Sequence, residues 1–211
     1  MTLPRVYPIL DTQLLAAKRC TPETAARAWL DGGARIIQFR HKAQWARTTL
    51  EDAERIAGIC RDYDATFVVN DRADMASLLD AGLHVGQDDL PPVDARRLIG
   101  ENAFLGYSTH NSGQLDRAAE EPVSYVALGP IFGTSSKQNP DPVVGIDRLR
   151  ECRSRCARPL VAIGGITRET ARAVWAAGAD SVAVISDLIP EQSTGANLRR
   201  RMEKWQQLAE T

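Results

Sequence analysis

Eight short apolar runs rich in β-branched residues recur along the chain: VYPIL, RIIQF, TFVVN, LHVG, FLGYS, YVALG, LVAIG and SVAVI. Between them lie stretches whose apolar positions follow helical spacing, such as TPETAARAWL and TRETARAVWAAG. The runs are apolar on nearly every position, as strands buried on both faces are, and this implies a parallel sheet covered by helices. One strand–helix unit falls about every 26 residues across a chain of 211. Eight such units fit closure better than an open sheet. The chain is therefore expected to be of the α/β class, a single (β/α)8 TIM barrel over residues 1–211.

Local signals agree with that reading. Both helical stretches open on a threonine that can cap a helix, and the first adds Pro22 at the first helical position. Three helix ends, DGGARII, DAGLHVG and AAGADSVAV, each carry a glycine expected to take the positive φ that turns a helix toward the next strand. No linker, low-complexity segment or change of composition divides the chain.

Charge and cysteine usage narrow the functional classes. A formal net charge of -1 argues against a general nucleic-acid or membrane-surface role, so anion binding should be local. The densest basic run, LRRRMEK (198–204), reads as the solvated face of a last amphipathic helix. No run approaches 18 apolar residues and no N-terminal apolar stretch suggests a signal peptide. Of Cys20, Cys60, Cys152 and Cys156 only the last two are close in sequence, with no histidine nearby. Reduced thiols and a cytoplasmic location are expected. The sequence leaves homo-oligomerisation open.

In a (β/α)8 barrel, functional groups collect where strands end and the following loops begin. Those positions hold Gln38, Arg40 and Lys42, then Asn70 and Asp71, then Gln87, Asp88 and Asp89, then Ser108 and His110. The loop GPIFGTSSKQNPDPVVG (129–145) adds three hydroxyls and Lys137. Asp71 and Asp89 are expected at the ends of neighbouring strands, about 4.8 Å apart. Two carboxylates that close repel unless a cation or proton lies between them, and Mg²⁺ accepts one or two carboxylates plus phosphate oxygens. Arg40, Lys42 and Lys137 would converge with it on a strongly anionic group such as a diphosphate. The turns IGGI (163–166) and AVIS (183–186) form a second candidate anion site, where Gly164 and Gly165 allow close backbone approach. His84, inside an apolar run, reads as a hydrogen-bonded core residue, whereas His110 is an acid/base candidate. No nucleophile elbow, P-loop or dinucleotide fingerprint is present.

Taken in order, QFRHK, VNDRADMA, GLHVGQDDL, GYSTH, GPIFGTSSK, AIGGI and SVAVIS make the chain resemble the thiamine-phosphate synthase family over most of its length. The resemblance implies a (β/α)8-barrel transferase of thiamine biosynthesis. It joins 4-amino-2-methyl-5-hydroxymethylpyrimidine diphosphate to 4-methyl-5-(2-phosphoethyl)thiazole, giving thiamine phosphate and pyrophosphate by dissociative, Mg²⁺-dependent substitution. Position by position, it implies that Gln38, Phe39, Arg40, His41, Lys42, Asn70, Ser108 and Lys137 bind the pyrimidine diphosphate. It further implies that Arg40, Lys42, Ser108 and Lys137 carry the catalytic roles. Asp71 and Asp89 match the Mg²⁺ ligands, and Thr134, Ser135, Ser136, Gly165, Ile185 and Ser186 match the thiazole-phosphate site.

Some positions depart from the pattern. Gly133 stands where the family often has Pro or Ala, and Ser136 replaces a common Thr. The sister family of thiazole tautomerases typically has a catalytic histidine where this chain has Pro130, and tends to lose the diphosphate-binding set. A phosphate-ligand sensor on the same fold would not need the carboxylate pair. Both alternatives fit these residues less well than the synthase.

Overall fold

A computed structural model describes residues 3–133 and 141–210. Eight parallel strands close into a barrel, with β8 returning to pair with β1. The chain runs β1 (Val6–Asp11), α1 (Thr12–Ala17), α2 (Pro22–Asp31), β2 (Ile36–Arg40), α3 (Arg47–Asp62), β3 (Thr66–Asn70), α4 (Ala73–Leu78) and β4 (Gly82–Val85). It continues α5 (Pro92–Ile99), β5 (Leu105–Thr109), α6 (Ser112–Ala118), β6 (Tyr125–Leu128), α7 (Gly145–Arg155), β7 (Leu160–Ile163), α8 (Ala171–Ala176), β8 (Ser181–Val184), a 3-10 turn (Ser186–Leu188) and α9 (Gly195–Ala209). Each apolar run of the sequence lies on its strand to within a residue or so at either end.

Alternation along the strands separates two cores. Outward side chains such as Phe39 and Val69 join Trp29, Ile56, Met202 and Trp205 between sheet and helices. Inward side chains, among them Tyr7, Ile9, Ile36, Val68, Tyr125, Val161 and Ala183, fill the barrel lumen. Complete burial of each large apolar side chain stabilises the fold by about 1.5–3 kcal/mol, so the lumen is a second core and not a pore.

Several local expectations meet the structure differently. Thr21 does cap α2, its side chain accepting from the Thr24 amide at 3.2 Å. In TRETARAVWAAG, however, Thr167 opens a turn and not the helix: its carbonyl accepts from the Thr170 amide and hydroxyl, and α8 starts only at Ala171. Gly33 and Gly178 take the expected positive φ (99° and 104°), but in DAGLHVG it is Asp80 that does so, at 49°. Gly82 instead lies inside β4, where a Cβ would come within 2.9 Å of the Phe104 carbonyl oxygen.

Within LRRRMEK, Arg199, Arg200 and Lys204 are exposed as expected, yet Arg201 turns inward and donates to the Asp187 carbonyl at 2.6 Å. All four cysteines are free and buried. Among the described residues no helix is long and apolar enough to cross a membrane.

Candidate active site

A cavity of about 430 Å³ opens at the carboxyl ends of the strands, a size suited to small ligands. It brings together Gln38, Arg40, Lys42, Asn70, Asp71, Asp89, Ser108, Gly165, Ile185 and Ser186, which lie up to 148 positions apart in the sequence. Phe39 and His41, expected with them, are not among its walls. Strand alternation turns Phe39 outward, fully buried against Trp45 and Phe67. His41 turns toward Thr12, its Nδ1 2.8 Å from the hydroxyl, and stands edge-on to Trp45. Thr134, Ser135, Ser136 and Lys137 lie outside the described residues.

The cationic side is built from the end of β2. Arg40 reaches the Oδ2 of Asp11, the last residue of β1, while Oδ1 of the same carboxylate accepts from the Leu14 amide at 2.9 Å and caps α1. Asp11 therefore holds Arg40 in place, a role the sequence signals only as an acid before a helix start. Lys42 extends further and its Nζ lies 2.6 Å from Oδ2 of Asp71.

The two acidic groups sit differently from expectation. Asp71 follows β3 directly and takes φ 65°, a left-handed conformation uncommon for a side chain other than glycine. Asp89 is not at a strand end. It lies in the β4–α5 loop, where its Oδ2 accepts from the Gly86 amide at 2.7 Å and folds the loop back. The carboxylates nevertheless meet. Burial first, then the charge of Asp71, push the Asp89 carboxyl above its usual range, opposed by the Gly86 amide.

A facing carboxylate pair with one member driven toward protonation is a place where a cation gains energy. Among the described residues there is no cluster of three or more His, Cys, Asp or Glu able to cage a metal. Two carboxylates fit Mg²⁺ that completes its shell with water and phosphate oxygens. Nearby, the Asn70 Nδ2 is buried without a partner among the described residues, a donor awaiting an acceptor.

Opposite this pair, the turn after β7 is pressed against the loop after β6. The Ile131 amide donates to the Ile163 carbonyl at 2.8 Å and Phe132 to Gly164 at 3.0 Å. Gly164 and Gly165 have φ of 99° and 62°, and a Cβ on them would come within 2.5 Å of Pro130 and 2.4 Å of the Gly133 oxygen. Ser186 opens the 3-10 turn beside them, and Asp187 anchors that turn by accepting from Arg168 and from the Trp205 indole. The site thus has a carboxylate–cation end and a glycine-turn end.

Two residues are placed more fully than the sequence allowed. His84 is buried as expected, but it also forms part of the cavity floor, its Nε2 2.8 Å from the Ser108 hydroxyl. Burial pushes its pKa down to about 4, with Asp89 opposing and Lys42 adding to the shift, so the ring is neutral at physiological pH. His110 points Nδ1 at the Gly129 carbonyl, 2.7 Å away, with the Asp141 carboxylate 3.5 Å off.

Fold and site define the class: a (β/α)8 barrel with a cavity lined by charged and polar side chains at its strand ends. The sequence profile of thiamine monophosphate synthases matches residues 6–188. The thiamine-phosphate synthase of Koribacter versatilis is 47% identical over 192 residues, 90% of each chain. That of Moorella thermoacetica is 40% identical over 199 residues, 94% of each chain. The solved thiamine phosphate pyrophosphorylase from Pyrococcus furiosus superposes with a TM-score of 0.84 at 30% identity, covering 98% of this chain and 95% of its own. The chain belongs to the thiamine monophosphate synthase family, whose members are transferases.

Proposed function

We propose that this cavity couples 4-amino-2-methyl-5-hydroxymethylpyrimidine diphosphate to 4-methyl-5-(2-phosphoethyl)thiazole, releasing thiamine phosphate and pyrophosphate. The observation that carries the reading is the meeting, in one cavity, of Arg40, Lys42 and the Asp71–Asp89 pair with the Gly164–Gly165 turn and Ser186. One end suits a diphosphate and the other a phosphate.

The bond from the pyrimidine methylene carbon to the diphosphate oxygen breaks, and its electrons leave with pyrophosphate. The lone pair of the thiazole nitrogen then forms the new C–N bond, so no side-chain nucleophile is needed. Arg40, fixed by Asp11, and Lys42 bind the diphosphate and stabilise charge as it gathers on the leaving group. Gln38, Asn70 and Ser108 orient the pyrimidine from the floor. Backbone amides around Gly165 and Ser186 receive the thiazole phosphate. Lys137 is proposed to join the diphosphate end, and Thr134, Ser135 and Ser136 the thiazole end. Asp71 and Asp89 would hold Mg²⁺, which when bound supplies further positive charge against the diphosphate. Buried free thiols suit the cytoplasm as the compartment.

Incubation with both substrates and Mg²⁺, followed by chromatographic identification of the products, tests the reading. Thiamine phosphate and pyrophosphate in equal amounts are expected. Isomerisation of the thiazole phosphate without coupling would replace it with a tautomerase, and tight binding without turnover with a sensor.

A further inference from the structure

Beneath the cavity, five side chains from five strands form one continuous line of hydrogen bonds. Gln38 Nε2 donates to the Tyr7 hydroxyl at 3.2 Å, and the Tyr7 and Tyr125 hydroxyls are 3.0 Å apart. His84 Nδ1 lies 2.8 Å from the Tyr125 hydroxyl and its Nε2 2.8 Å from Ser108 Oγ. Tyr7, Tyr125, Gln38 and His84 are all buried.

The strand register explains how distant chains meet. His84, Gly106 and Tyr125 occupy one row across β4, β5 and β6. Gly106 stands between the other two, and a Cβ on it would lie 2.0 Å from Tyr125 Cζ. The missing side chain lets the tyrosine ring lie across β5 and stack against His84, with centroids 5.6 Å apart at 22°. Ser108, two residues above Gly106 on the same face, receives the far end of the line.

The proton count sets its direction. Tyr7 already accepts from Gln38, so its own proton goes to the Tyr125 oxygen, and the Tyr125 proton goes to His84 Nδ1. The imidazole proton then resides on Nε2 and is donated to Ser108 Oγ. The Ser108 proton is left to point into the cavity, where anionic and lone-pair-bearing ligands favour it. At the other end Gln38, with Nε2 engaged below, keeps Oε1 as an acceptor. Burial holds the Tyr7 pKa up at about 12, raises that of Tyr125 well above its ordinary value and lowers that of His84, so every link stays neutral.

We propose that Tyr7, Tyr125 and His84 are positioning residues that fix Ser108 as a donor and Gln38 as an acceptor toward the pyrimidine substrate. This rests on the coupling function proposed above. An aminopyrimidine edge presents an N–H donor beside a ring-nitrogen acceptor, the complement of that pair. Rotating the Gln38 amide by half a turn would run the whole line backwards, with the imidazole proton on Nδ1 and Ser108 accepting.

Nitrogen NMR of the ¹⁵N-histidine-labelled full chain, free of substrates at neutral pH, distinguishes the two directions. Only three histidines need assignment, by comparison with His41→Gln and His110→Gln variants. The proton is expected on His84 Nε2 with Nδ1 bare; a proton on Nδ1 overturns the proposal. Tyr125→Phe, in the same assay and in kinetics, should give mixed His84 tautomers. It should also raise KM for the pyrimidine diphosphate about tenfold, while KM for the thiazole phosphate holds. An unchanged tautomer in the variant, or equal rises in both KM values, also overturns it. Failure of wild-type coupling would remove the function without altering the tautomer result, so the two claims fail separately.

Discussion

Lys42, just past β2, reaches Asp71 at the end of the neighbouring strand β3, its Nζ 2.6 Å from Oδ2. The pair is exposed enough to be weak as a stabilising contact, with side-chain exposures of 44% and 20%. On the coupling function proposed above, an incoming diphosphate and its cation would take over the two charges. Lys42→Ala is predicted to change stability by under about 1 kcal/mol. The same substitution should lower kcat/KM by about 10²–10³, the cost of losing one charge-stabilising donor. Thermal unfolding and steady-state kinetics on one preparation check both halves.

Asp89 tells the opposite story. Its ionised form is disfavoured by burial and by Asp71, so the free protein bears a cost for keeping it. Asp89→Asn can still accept from the Gly86 amide and is predicted to melt at a higher temperature than the parent at pH 7, while coupling is lost. The sign follows from the raised native pKa: the native state binds more protons than the unfolded one, so wild-type stability falls as pH rises through that range. The variant's advantage should shrink as the pH is lowered toward the ordinary carboxylate range. Melting curves from pH 4 to pH 8 measure this.

His84 contributes with the other sign. Its native pKa of about 4 lies below the usual 6.5, so between those values the unfolded chain binds the proton that the native chain refuses. Stability contributed by the neutral ring is full above pH 6.5 and is lost as pH falls toward 4, at up to about 1.4 kcal/mol per pH unit. Asp89 faces the ring and partly offsets this, so the slope is best read as the difference between wild type and His84→Gln. Denaturant titrations at several pH values should show the variant with the flatter profile.

The glycine turn after β7 gives a steric prediction. Gly164→Ala must hold φ near 99° and place a methyl within 2.5 Å of Pro130. A loss of about 2 kcal/mol or more is predicted from the backbone conformation and the collision together. Because the collision pushes the β6 and β7 loops apart, KM for the thiazole phosphate should rise more than KM for the pyrimidine diphosphate. Parallel titrations of the two substrates decide it.

The barrel was legible in the sequence because buried parallel strands leave unbroken apolar runs, and all eight strands start and end within one residue of VYPIL, TFVVN and their counterparts. Charged groups such as Arg40, Lys42 and Asp71 were legible because a strand end next to a loop gives them little structural purpose. Phe39 was not, since its place in a run of site residues hides that alternation turns it outward. The reach of Asp89 depends on one hydrogen bond from the Gly86 amide, and the left-handed Asp80 on a glycine already committed to β4. The line from Gln38 to Ser108 was invisible for a further reason. Tyr7 and Tyr125 are 118 residues apart, and Gly106 joins the row by what it lacks. Only closure of the barrel brings these residues together.

Pyrophosphate release from the purified chain, with each substrate alone and with both, with Mg²⁺ and with it chelated, and beside Asp71→Asn, tests the central claim most directly. Release that requires both substrates and Mg²⁺, and falls about 10²–10³ in the variant, is the predicted result. No release from a folded protein that binds both substrates would contradict it.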